Sequence, residues 1–178
     1  MIEGGLAPDI QIDILVEAGD WLRSVPAASD LAHRAAKAAI TGENMTAGAL
    51  ELSILLTDDA AIAELNSQWR GKSGPTNVLS FPAEMDAARP PPAGAPVLLG
   101  DIAVALETLM TEARDAGIGP KDHLRHLVVH GVLHLCGYEH ENDADAERME
   151  GREIEILKAL GVSDPYAAAE RRLENARP

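Results

Sequence analysis

Between residues 9 and 17 the chain reads DIQIDILVE, apolar and polar positions alternating with the period of two that marks a half-buried strand. SDLAHRAAKAAI (29–40) switches to helical spacing, with Ser29 or Asp30 placed to cap the first turn. LELSILL (50–56) returns to a strand pattern, and TDDAAIAELNSQWR (57–70) opens on capping residues and continues as a helix. Strand, helix and strand in that order predict a parallel pair joined by a right-handed crossover. NVLSFP (77–82) reads as a short strand stopped by proline, and EMDAARPPPAGAP (84–96) as a loop or flap, too short to link to a second core. VLLGDIAVA (97–105) is a further strand, and LETLMTEARDAG (106–117) a helix ended by glycine. PKDHLRHLVVHGVLHLC (120–136) is a helix with proline where its first turn tolerates it. DADAERMEGREIEILKAL (143–160) is an amphipathic helix, and the acidic run from Glu139 to Glu155 predicts a solvated face. Residues 168–178 form a charged tail. The expected fold is α+β: one domain over residues 1–178, with a small mixed sheet of about four strands packed against about five helices.

Composition narrows this picture. Apolar residues make up 46% of the chain but aromatics only 3%, so the core should be chiefly aliphatic. No apolar run of about 18 residues occurs, which argues against a membrane-spanning helix. Cys136 is the only cysteine, excluding an internal disulfide. The first residues, MIEGGLAPDI, also lack the basic-then-apolar profile of a secretory signal, so a cytoplasmic location is expected. The formal net charge of −14 argues against broad adhesion to DNA, bulk nucleic acid or anionic lipid. A bound cation would reverse the potential around itself.

HGVLHLCGYEH, residues 130–140, carries the chemistry. Its histidines are spaced H-x-x-x-H-x-x-G-x-x-H, a layout that zinc proteases use to hold their metal. Residues four apart share a helix face, so His130 and His134 can aim at one point. Gly137 can take the left-handed conformation that ends a helix, which lets the chain fold back and offer His140. Three neutral imidazoles leave a tetrahedral Zn²⁺ with one open position, the catalytic rather than the structural pattern; Ni²⁺ and Cu²⁺ are also compatible with nitrogen ligands. One Zn²⁺ per chain is expected, at the end of a helix. Cys136, two residues past His134, faces away from that point. Where a zinc protease carries its glutamate base, this chain has Gly131. Zinc alone can lower the pKa of bound water to about 7 or polarise a phosphoryl oxygen, and RNA supplies both a phosphodiester and an adjacent 2′-hydroxyl.

The same block resembles the H-G-x-x-H-L-x-G-Y-D-H signature of the YbeY family of bacterial metal-dependent endoribonucleases. LNSQWRGKSGPTNVLSFP (65–82), LGDI (99–102) and DPY (164–166) resemble further blocks of that family, so the likeness runs through nearly the whole chain. Glu139 and Asn77 stand where the family pattern has aspartate. By resemblance His130, His134 and His140 are the zinc ligands and Arg70 the family's important arginine. The resemblance implies single-strand-specific RNA cleavage, maturation of the 16S rRNA 3′ end and late ribosome quality control. Single-stranded rRNA and the ribosome or its proteins are the implied partners.

Other residues are candidates of a second order. Arg70 ends a helix, where a cation complements the dipole or grips a phosphate bidentately. Lys72 lies beside it in NSQWRGKSGPTN, an acid-free stretch suited to local RNA attraction. His126, four residues before His130, is placed either to touch substrate or simply to pack. His123 has a weaker claim. Asp101 and Glu139 are candidates to orient a ligand or an arginine from behind. Trp69 could stack a base, although its helical spacing favours the core. Two rival functions remain open: a metal-dependent hydrolase of peptides or small molecules, against which Gly131 counts, and a ribosome assembly factor whose zinc is chiefly structural.

Overall fold

The alternating segments become strands β1 (Asp9–Val16), β2 (Ala49–Thr57), β3 (Val78–Pro82) and β4 (Val97–Ala105) of one mixed sheet in the order β1-β2-β4-β3. The computed structural model describes residues 9–43, 49–84, 92 and 94–167. The 168–178 tail and most of the 84–96 loop lie outside the described residues. β1 pairs with β2 and β2 with β4 in parallel, while β3 runs antiparallel to β4. The parallel pair expected from the strand–helix–strand order is therefore present.

Six helices are found among the described residues: α1 (Trp21–Ser24), α2 (Ala28–Gly42), α3 (Asp59–Arg70), α4 (Leu106–Ala116), α5 (Pro120–Leu135) and α6 (Asp143–Ala159). The four-residue α1 has no counterpart in the periodicity. It exists because Trp21 is buried and its indole N–H donates to the Thr57 carbonyl at 2.9 Å. α2 starts at Ala28 and not after Ser29 or Asp30, with Ala27 in the cap position at φ 65°. Burial of Val25 and Ala28 draws the chain into the helix two or three residues early. Two helices do start on side-chain caps: Asp58 accepts from the Ala61 N–H at the start of α3, and Asn142 from the Asp145 N–H at the start of α6. Pro120 opens α5.

The two sheet faces differ. Leu50, Leu52, Ile54 and Leu56 of β2, with Ile102 and Val104 of β4, bury one face under α2 and α5. The contact residues of α2 are Ala32, Ala35, Ala36 and Ala39, small enough to let the helix lie close, so the core is aliphatic as composition predicts. Among the described residues only α3 packs on the other face, through Ile62 and Leu65 against Leu79, Ala103 and Ala105. The rest of that face is an open groove. Gly100 is required where β3 meets β4: its φ is 132°, and a Cβ there would lie 2.1 Å from the Phe81 carbonyl oxygen. No helix among the described residues is long and apolar enough to cross a membrane.

Candidate metal centre

α5 is buried on most of its circumference, through residues such as Leu124, Leu127, Val128 and Val132, which fixes its rotation against the sheet. The remaining face carries His126, His130 and His134 one turn apart. The helix then ends as a Schellman turn, with Gly137 at φ 90°, its N–H donating to the His134 carbonyl at 3.0 Å and the Tyr138 N–H to the Leu133 carbonyl at 3.0 Å. That reversal returns His140 to the cluster: its ring centroid is 5.6 Å from that of His130 and 4.9 Å from that of His134.

The donor set fits a cation. His130 Nδ1 donates to Glu153 Oε1 at 2.7 Å, and His134 Nδ1 donates to the Tyr138 carbonyl at 2.9 Å. Both Nδ1 atoms being committed, the two Nε2 lone pairs converge at 3.1 Å. Two facing acceptors repel, and a shared cation relieves that repulsion. One ligand atom from each of the three histidines lies within 4.8 Å of the others. Nitrogens about 2.0–2.1 Å from a tetrahedral ion stand roughly 3.3 Å apart, so gathering the set needs a movement of about 1.5 Å at most. His140 is exposed and sits on the post-helix loop, which gives it room for that movement. Burial, reinforced by the adjacent His130, lowers the His134 pKa from its ordinary 6.5, so the ring is neutral and ligand-competent at pH 7.

Behind the histidines lies a layer the sequence reading did not anticipate. Glu153 of α6, within the run expected to be a solvated face, is completely buried. Burial alone would raise its carboxyl, but hydrogen bonds from His126 and His130 dominate and hold it at about 2. Met149, Glu153, Ile156 and Leu157 are the buried residues of α6, so the carboxylate occupies a core position of an apolar stripe, the one signal that could have found it. Tyr166, in the DPY segment, donates to the same carboxylate. Tyr138, whose carbonyl backs His134, donates its hydroxyl to Glu43 at 3.0 Å, and Glu43 accepts from Arg152 at 2.6 Å.

Gly131 faces away from the histidines, into the sheet. A Cβ there would lie 3.0 Å from Ile102 Cδ1 and 3.1 Å from Ser80 Oγ. The position that holds the base in zinc proteases is here a packing contact. The same contact joins the helix to the arginine block: Ser80 Oγ donates to the Gly131 carbonyl at 3.2 Å, and Arg70 Nη2 reaches the Ser80 carbonyl at 3.5 Å. Arg70 is exposed at the C-terminus of α3 and lines the open groove, whose volume is about 1130 Å³.

The remaining candidates divide between these two places. Asp101 is an exposed wall of the groove, on the opposite sheet face from Ile102 and α5, so it accompanies Arg70 and not the histidines. Glu139 is exposed and acts on His134 through its charge. Lys72 is exposed on the turn after α3. His126 is half-buried, its Nε2 3.3 Å from Glu153. His123 is buried, with Nε2 2.8 Å from Glu112, and packs α5 to α4. Cys136 packs against the main core, where burial pushes its thiol up to about 11. Trp69 is not a core residue: it is 66% exposed, lines the groove and meets Phe81 edge-on at 6.3 Å.

Comparison with known proteins gives the family. The profile of a family described as Endoribonuclease YbeY matches residues 17–161. A Rhodospirillum rubrum protein named Endoribonuclease YbeY is 53% identical over 158 residues, covering 85% of this chain and 78% of that one. A Bradyrhizobium protein of the same name is 49% identical over 159 residues, covering 89% and 94%. The solution structure of a Thermotoga maritima protein superposes with a TM-score of 0.53 at 23% identity, over 94% of this chain and 97% of that one, a likeness of fold alone.

Proposed function

The chain belongs to the YbeY family, and from that premise we propose that it is a single-strand-specific, zinc-dependent endoribonuclease acting in 16S rRNA 3′-end maturation and late ribosome quality control. The observation that carries the reading is the convergence of the His130 and His134 Nε2 atoms at 3.1 Å with both Nδ1 atoms already engaged, and His140 beside them. His130, His134 and His140 are the ligands. Zinc is favoured over a harder ion because all three donors are imidazole nitrogens. Bound there, it would supply a water of lowered pKa or polarise a phosphoryl oxygen.

The chain's own groups do the rest. The Arg70 guanidinium, joined through Ser80 to the helix that bears the histidines, binds a phosphate of the RNA bidentately and offsets charge as it develops. Lys72 extends that attraction. Trp69 offers a base a stacking surface beside it, which favours single strands because a duplex keeps its bases stacked on one another. Asp13, Glu17, Glu84 and Asp101 also line the groove, so a basic partner, such as a ribosomal protein, assists delivery of the rRNA. We place this activity in the cytoplasm. The peptidase reading loses its footing, because residue 131 points at Ile102 and Ser80.

Purified protein, metal analysis and a single-stranded rRNA fragment test the proposal. The parent chain should carry about one zinc and cleave; His134→Ala should lose both; Arg70→Ala should keep zinc and fold yet lose about 2–4 kcal/mol of transition-state stabilisation, a 30- to 1000-fold drop in rate. Equal cleavage by parent and His134→Ala would overturn it.

A further inference from the structure

Glu153 is the only buried carboxylate among the described residues. Removing such a group from water costs several kcal/mol unless its lone pairs are satisfied, so its partners show what it is for. The two oxygens are divided. Oε1 accepts from His130 Nδ1 at 2.7 Å. Oε2 accepts from His126 Nε2 at 3.3 Å and from the Tyr166 hydroxyl. One oxygen thus faces the histidine cluster, while the other is gripped from behind by two groups belonging to different parts of the chain.

Tyr166 comes from beyond α6. Its backbone N–H donates to Asp164 Oδ1 at 2.8 Å, a turn that directs the ring back toward α5. The ring meets His126 edge-on at 5.5 Å. A small cavity of about 60 Å³ beside the cluster is lined by His130, His140, Met149, Glu153 and Tyr166, so the tyrosine also walls one side of the centre.

We propose that Tyr166 is a positioning residue: by holding Glu153 Oε2 it sets the rotation of the carboxylate, keeps Oε1 on His130 Nδ1, and so fixes the tautomer and orientation in which His130 offers Nε2 to the metal. The segment Asp164–Tyr166 is then a C-terminal latch on the centre, and metal affinity depends on residues far from the ligand motif. This rests on the three histidines being a metal site. Without the hydroxyl, Glu153 keeps only the His126 bond on that oxygen and can rotate off His130. A ligating histidine whose carboxylate support is disturbed typically loses 10- to 100-fold in metal affinity.

The test is zinc competition against a chromogenic chelator, with every variant shown by circular dichroism to be folded. Tyr166→Phe keeps the ring packing and should bind zinc about tenfold more weakly; Glu153→Gln should lose more. Thr108→Val removes a hydrogen bond to Asp59 remote from the centre, of 2.8 Å, and should lower stability without changing zinc affinity. The hydrogen-bonded Nδ1 proton of His130, followed by NMR, should exchange faster in Tyr166→Phe than in the parent. Unchanged zinc affinity in folded Tyr166→Phe would overturn the latch while leaving the metal site standing. If instead the parent binds no zinc that His134→Ala abolishes, the metal reading fails, and the latch with it.

Discussion

Replacing Gly131 is the sharpest way to ask whether that position is an altered catalytic residue or a packing contact. In Gly131→Ala the new Cβ lies 3.0 Å from Ile102 Cδ1, 3.1 Å from Ser80 Oγ and 3.2 Å from Ile102 Cγ2. Ile102 is 1% exposed and Ser80 is held by its bond to the Gly131 carbonyl, so neither neighbour withdraws freely. Overpacking of this kind costs about 1–3 kcal/mol, while alanine gains about 1 kcal/mol over glycine inside a helix. The net should be a loss of about 1 kcal/mol, which for a chain of this length lowers Tm by about 2–4 °C. Gly131→Glu, which restores the protease pattern, adds a longer side chain and a carboxylate with no partner. The unpaired buried charge alone costs about 3–5 kcal/mol, comparable to the whole stability of a small domain.

Thermal unfolding of the parent and both variants, with zinc affinity and a peptide-hydrolysis assay alongside, reads this out. Gly131→Ala should be mildly destabilised with zinc affinity intact, because its clash is with β3 and β4 and not with the histidines. Gly131→Glu should be grossly destabilised and gain no peptidase activity. If it folded with the parent's Tm, or hydrolysed peptides, the packing argument would be wrong.

Acid should weaken the metal-free protein in two stages. The His134 pKa is lowered on folding, so the stabilisation its neutral ring enjoys is present above about 6.5 and lost as pH falls below it; the Glu153 pKa is lowered from 4.5 to about 2, so its share is present above 4.5 and lost between there and 2. The second stage is worth about 3 kcal/mol in full at one pKa unit per 1.36 kcal/mol, of which about 2 kcal/mol should be gone by pH 3; denaturant midpoints between pH 7 and pH 3 should show that loss in the parent but not in Glu153→Gln, and equal slopes would refute the assignment. Trp69→Ala should leave stability within about 0.5 kcal/mol, since the side chain is 66% exposed, yet weaken binding of an uncleavable single-stranded oligonucleotide by about 1–3 kcal/mol. Unaltered affinity would remove Trp69 from the RNA site.

What could be read from the sequence depended on whether a residue's period matched its chemistry. Leu50, Leu52, Ile54 and Leu56 are apolar at every second position and buried at every second position, so β2 and its neighbours were visible. The histidine cluster was visible because its geometry is local: one helix face and a glycine turn of ten residues' span. Glu153 was not, because a carboxylate on a core stripe looks like one more charge in an acidic run unless position is weighed above residue type. Trp69 failed in the opposite sense. Apolar residues occupy both faces of the sheet, and periodicity cannot tell that, among the described residues, helices fully roof one face and only partly the other; Leu55 and Phe81 are half-buried beside α3 while Leu15 and Trp69 stay open to solvent. α1 was missed because four residues are too few to show a period at all.

The supports of the two helix-borne histidines explain why so much of the chain is needed for so small a site. His130 is held through Glu153 by α6 and by Tyr166 beyond it, whereas His134 is held through the Tyr138 carbonyl, and Tyr138 through Glu43 and Arg152 by the end of α2. The two supports share α6, which carries both Glu153 and Arg152, but otherwise come from opposite ends of the sequence. His140, by contrast, is exposed and meets the others through ring contacts. Two fixed imidazoles and one adjustable one would suit a cation held with a coordination position open. The same division answers the charge problem of an acidic protein with an RNA substrate. A chain at −14 gains little from long-range attraction, so under the proposed function recognition would fall to short-range groups set on firm supports: a cation held by the α5 histidines, Arg70 tied through Ser80 to that helix, and an aromatic face beside it.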